Sequence, residues 1–192
     1  MRIYNKIIVS LVPTLFIISC ASTSITSFKE PTFTGKTFQR MLVAVATTDI
    51  GERTQVEQTI STRLAKYGVT GIPSITLILP TRTYTVDEID KLLIDNNIDS
   101  LLILQLTGKE QKMASGSSLQ LNVFERRWEQ VTSIYSLPRI YFGLQLYDVT
   151  SGKLTWVAST HTSGNQYARH RDLINSLADT TIEKMKEDGL LK

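Results

Sequence analysis

From residue 40 onward, apolar positions follow two rhythms that alternate along the chain. RMLVAVA (40–46) is a nearly unbroken apolar run, which suits a strand covered on both faces. TTDIGE then brings turn chemistry, and Val56, Ile60 and Leu64 recur at four-residue spacing along a helix that Gly68 stops. Residues 69–79 contain Gly71, Pro73 and then ITLIL, which predicts an extended segment, a second strand with an irregular start. Thr85-Val86-Asp87-Glu88 has the spacing of a capping box, and the helix it opens carries Ile89, Leu92 and Leu93 before ending near Asn96-Asn97. LLILQL (101–106) is the most apolar strand and the expected centre of the sheet. LQLNVF (119–124) alternates as a separate strand, while IYFGLQLY (140–147) and KLTWVA (153–158) flank DVTSG as a hairpin, with Trp156 expected in the core. Residues 167–185 return to helical spacing, Gly189 caps that helix, and Leu190-Leu191 fold back under the sheet. The order β-α-β-α-β-β-β-β-α predicts a single-domain α/β sandwich of a mixed sheet with about three helices.

Upstream of this domain the pattern changes. MRIYNK carries Arg2 and Lys6 and no acid, and the apolar run IIVSLVPTLFII leads to Ser19 and Cys20. That is the layout of an export signal. The run is shorter than the roughly 20 residues a spanning helix needs, and it contains Pro13. Ile17-Ile18-Ser19-Cys20 resembles the lipobox of bacterial lipoproteins, which implies cleavage before Cys20 and acylation of its thiol and new amino terminus. Acylation also removes a free thiol from an oxidising compartment, and Cys20 is the only cysteine in the chain. The other reading is a secreted or core cysteine. Residues 1–19 are therefore read as a lipoprotein signal peptide, 20–36 as the acylated cysteine with a flexible Ser/Thr-rich tether, and 37–192 as the periplasmic domain. Ala21, standing where inner-membrane retention would favour Asp, leans toward an outer-membrane anchor facing the periplasm, by resemblance to enteric sorting.

Processing changes the charge. The full chain holds 21 Lys+Arg against 18 Asp+Glu; loss of Arg2 and Lys6 leaves 19 against 18, a net +1. A near-neutral protein offers no electrostatic case for nucleic acid as a partner. The partners expected instead are the membrane, through the acyl chains of Cys20, and an envelope protein or a second copy.

The succession RMLVAVA, ERTQVEQTISTRLAKYGV, YTVDEIDKLLIDNNIDSLLIL and YFGLQLYDVTSGKLTWVAS, closed by an amphipathic helix, resembles periplasmic lipoprotein domains related to the curli-secretion channel CsgG. The amino-terminal domain of TolB and the lipoprotein activators of penicillin-binding proteins share that layout. The resemblance covers 37–191 and implies architecture, together with an assembly or docking role instead of an enzymatic one. Channel members insert membrane hairpins, whose strands need about 9–11 alternating residues. Only LQLNVF approaches that pattern here, and TGKEQKMASGSS before it reads as polar and flexible, so a pore is not expected.

Candidate chemistry is sparse. His161 and His170 lie too far apart in sequence for a spaced metal motif, so no metal and no cofactor is expected. Asp49, Glu52 and Arg53 follow the first strand, where α/β folds bind ligands, yet the acids serve equally well as helix-start charges. No nucleophile elbow or acid-base pair can be assembled. FERRWEQVTSIYSLPRIYF (124–142) interleaves Arg126, Arg127 and Arg139 with Trp128, Tyr135 and Tyr141, the residue types that dominate protein interfaces. Composition leaves two readings open, an exposed contact surface or a hairpin whose aromatics fill the core. The expected function is protein docking, the alternative is small-ligand or glycan binding, and hydrolysis ranks last.

Overall fold

The computed structural model describes residues 21–34, 36–122 and 127–192; the side chains at 118–122, 127–129 and 131 lie outside that description. Cys20 and residues 1–19, read above as a signal peptide, also fall outside it. The elements run β1 (Ala21–Lys29), β2 (Arg40–Ala46), α1 (Ile50–Leu64), β3 (Thr70–Pro73), α2 (Val86–Asp95), β4 (Ser100–Asn122), β5 (Arg127–Asp148), β6 (Lys153–Gly164) and α3 (His170–Glu187). They form the expected α/β domain. The six strands lie in one sheet of order β1-β6-β5-β4-β2-β3, in which β2 pairs parallel with β3 and β4 and the other neighbours pair antiparallel.

The apolar rhythms explain the layers. Met41, Val43 and Val45 on one face of β2 join Leu102, Leu104, Phe142, Leu144 and Leu146 in a core closed by Val56, Ile60 and Leu64 of α1 and Leu173, Leu177 and Ile182 of α3. Each such side chain contributes about 1.5–3 kcal/mol by burial. Leu42 points the other way, into a smaller cluster with Leu93 of α2 and Ile98. β2 is thus covered on both faces, as its unbroken run predicts. Trp156 is core, the Thr85–Glu88 capping box forms, and Leu190 and Leu191 are buried. No described helix is long and apolar enough to cross a membrane.

Three expectations need correction. Residues 21–29, read as part of a flexible tether, form edge strand β1, paired with β6 along its whole length from Ala21↔Gly164 to Lys29↔Trp156. Ser and Thr stand on both of its faces, so polarity concealed a strand: on the inward face Thr23 bonds Thr162 and Ser176, both at 2.9 Å, and Ile25 packs against the core. Second, ITLIL is not a strand, because after Pro73 the chain makes a 3-10 turn over Ser74–Thr76. Buried Glu57 imposes that turn by accepting from Ser74 Oγ (2.7 Å) and the Ile75 N–H (2.8 Å). Third, the stretch read as polar and flexible before LQLNVF is strand, and together with Leu119–Asn122 it forms the outer half of β4; Val123 and Phe124 lie outside the described residues.

Candidate functional site

The outer halves of β4 and β5 make a ribbon that leaves the sheet. β2 accompanies β4 only as far as Ala46↔Gln105, and β6 accompanies β5 only to Ser163↔Arg139. Beyond that level the two strands pair with each other alone, from Gln111↔Pro138 through Asn122↔Arg127. Twelve pairs at about 3.3 Å per residue reach roughly 40 Å. Gly116 helps the arms close, since a Cβ there would stand 3.2 Å from Cε1 of the Tyr135 ring. Both outer edges carry backbone donors and acceptors with no neighbouring strand among the described residues. Natural edges are guarded by charge, proline or bulges. Here Lys109, Glu110, Lys112, Arg139 and Pro138 gather at the root, while 113–122 and 130–137 hold no charged residue and no proline. By register, Met113 shares a face with Ile134, and these side chains are 64% and 71% exposed.

At the root, two rows cross the sheet face that α1 and α3 leave open. Register aligns Gly108, Tyr141, His161 and Ser24 in one row and Glu110, Arg139, Ser163 and Ser22 in the next. The Tyr141 and His161 rings stack at 4.8 Å and 12°, and Tyr141 Oη donates to Glu110 at 3.2 Å. His161 Nε2 and Arg139 Nε are buried without a hydrogen-bond partner among the described residues.

On the helix side, Asp49 caps α1 by accepting from the Glu52 N–H at 3.0 Å, and that bond holds its pKa below the usual carboxylate value. Glu52 itself is buried; one oxygen accepts from Lys109 Nζ at 2.6 Å and the other lies 3.5 Å from His170 Nε2. It therefore joins the ribbon root to the first turns of α1 and α3. Arg53 binds inward, to Glu57 at 2.9 Å and to Ser74 at 2.8 Å. Asp49, Arg53 and Glu52 Oε2 are occupied by the protein's own groups, whereas Glu52 Oε1 is buried without a hydrogen-bond partner among the described residues. No cluster of three metal-ligating side chains occurs among the described residues, and the two histidines have separate surroundings, His161 on Tyr141 and His170 beside Glu52.

Of the residues singled out for contact, Tyr135 lies on the ribbon, and Arg139 and Tyr141 at its root are half-buried. Arg127 and Trp128 are placed by their backbones, opposite Asn122 and Leu121 near the far end. Arg126 is outside the described residues. Sequence reasoning missed the other arm, β4 from Lys112 to Ser117, whose Ser/Gly composition hides its pairing. It also missed Lys109 and Glu110, which no local pattern marks.

No protein-family model matches the chain, and no curated protein matches it. Among solved structures, the PelC dodecamer from Paraburkholderia phytofirmans is similar with a TM-score of 0.53 at 13% identity, over 83% of this chain and 94% of that one. The lipoprotein GNA1162 from Neisseria meningitidis aligns with a TM-score of 0.43 at 17% identity, over 78% of this chain and 99% of that one. At such identities a likeness speaks for fold alone, and the comparisons show no CsgG or TolB family.

Proposed function

We propose that this protein is a lipid-anchored envelope module that works by docking, through its β4–β5 ribbon, on a second copy of itself or on another envelope protein. The observation that carries this reading is the ribbon itself. A two-stranded ribbon is marginal in water by itself, and this one has two open edges, an uncharged middle and exposed Met113 and Ile134. Such an element gains stability by adding strands, so a partner that supplies an edge completes it. PelC, which is similar in fold, is a dodecamer, and self-association by this chain agrees with that. The anchor in this reading is acylated Cys20 in the outer membrane, facing the periplasm, and the role is binding without chemistry.

The test is in-cell photo-crosslinking from Ile134 and Trp128 in the full-length protein, with mass spectrometry of the captured species. Capture of a second copy or of one defined envelope protein from both positions is expected. Recovery of the uncrosslinked chain alone from both would sink the docking role.

A further inference from the structure

We infer that Lys109, Glu52 and His170 form a proton-operated latch at the ribbon root, closed when His170 is protonated and open when it is neutral. Its effect on docking rests on the function proposed above, whereas the latch itself does not. The observation behind it is a buried group left incomplete. Glu52 is 4% exposed, and a polar atom taken out of water needs a hydrogen-bond partner. Oε2 has Lys109 Nζ at 2.6 Å, but Oε1 is buried without a partner among the described residues. His170 Nε2 stands 3.5 Å from Oε1, just beyond a working hydrogen bond. The His170 side chain is 44% exposed, so protons reach its ring from solvent.

A neutral imidazole carries one N–H, on either nitrogen, whereas the protonated ring donates from both. Protonation therefore supplies a donor at Nε2 and makes the contact charge-assisted, with a preferred N···O distance of about 2.7–2.9 Å. The charges around the ring divide. Glu52 and Asp49 of α1 and Asp172 in the first turn of α3 favour the imidazolium. Lys109 of β4, Arg169 and Arg171 beside it in the chain, and the start of α3 itself oppose it. Arg53 and Glu57 pair with each other, and β5 places uncharged Ile140 opposite Lys109. Glu52 outweighs the opposing charges because it is the group against the ring, it is buried where solvent screens least, and its other oxygen already pairs Lys109.

Three elements meet at this carboxylate. Lys109 precedes by two residues the point, Gln111↔Pro138, from which the ribbon runs alone, and Met113 continues its face of β4. The closed latch thus ties the ribbon root through Glu52 to the first turns of both α1 and α3. Proton binding and closure favour one another, so the closed form prevails in acid and is lost as pH rises. A ribbon held in one pose loses less freedom on docking than one that swings.

The experiment measures amide hydrogen exchange of the dilute, unassociated full-length chain at about pH 5.5 and about pH 8, on either side of the ordinary histidine range, with each rate divided by its intrinsic value. Sedimentation of the associated protein at the same two pH values accompanies it. Protection of residues 108–110 and 172–175 is expected to be severalfold higher at the lower pH, and association tighter there. His170→Gln changes a half-exposed side chain and is expected to fold and to hold both readings at their high-pH level throughout. Glu52→Gln should abolish the dependence from the other side; if it fails to fold, His170→Gln decides. Equal wild-type protection at both pH values, or a pH effect that survives His170→Gln and so belongs to His161, overturns the latch. Protection that responds while association does not overturns its control of docking. A responsive root in a chain that associates at neither pH refutes the docking reading and leaves the latch standing.

Discussion

Asp188 shows how much of this fold is decided by residues without a local signature. Its carboxylate accepts from Ser27 of β1 and from the indole N–H of buried Trp156, both at 2.7 Å, and lies 3.1 Å from Lys184 Nζ. Burial pushes its pKa up, but the bonds from Ser27 and Trp156 and the charge of Lys184 outweigh that and leave it below the ordinary value. A carboxylate depressed on folding stabilises above its unfolded pKa, about 3.9, and that stabilisation fades as pH falls through the folded value. Asp188→Asn is therefore expected to lower stability at neutral pH, with the deficit relative to wild type shrinking below about pH 4. Urea denaturation across a pH series reads it; a deficit constant down to acid would deny the carboxylate this role. The Thr85–Glu88 box was legible because its partners are neighbours in sequence. The Ser27, Trp156 and Asp188 contacts were not, because they join three distant segments that only the fold brings together.

Elements divide along the same line. The βα units and the β5–β6 hairpin could be read because their apolar spacing reflects a core on the page of the sequence itself. β1 could not, since its second layer is α3, far along the chain, and Ser/Thr alternation resembles a tether. The outer ribbon could not either, because it has no core to impose a pattern. That difference has an energetic consequence. The main apolar core takes residues of β5 from Ile140 onward and residues of β4 no later than Leu106, so the ribbon beyond Glu110 and Arg139 lies outside it. Replacing 111–138 by an Asn-Gly turn that joins Glu110 to Arg139 is expected to leave the melting temperature within a few degrees, since no core side chain among the described residues is lost, and to abolish association. Hydrogen exchange gives the companion reading: in the dilute, unassociated chain the amides of 111–117 exchange orders of magnitude faster than those of 101–105 in the same strand. A large loss of melting temperature in the shortened chain would place the ribbon among the supports of the fold.

At the scale of the molecule, the ribbon constrains what self-association can build. Its two open edges belong to different strands, so side-by-side copies facing the same way present a β4 edge to a β5 edge. That contact is heterologous; it propagates head to tail and ends only when the rotation between copies closes a ring. The lipid anchor proposed above would favour closure, because it would keep every copy on one plane and one side up. Backbone hydrogen bonds along an uncharged middle segment would dominate such a contact, so salt should weaken it little, in contrast to pairing driven by surface charge. Ile134→Lys should weaken it strongly, since lysine on an open strand is how natural edges are kept from pairing. Analytical ultracentrifugation of the acylated protein in detergent is therefore expected to show one discrete large species that persists from low to high salt, and to show that species lost in Ile134→Lys while the monomer's circular dichroism is unchanged. A ladder of sizes would mean an open filament, and dissociation on adding salt would transfer the contact from the strand edges to the charged root around Lys109, Glu110 and Arg139.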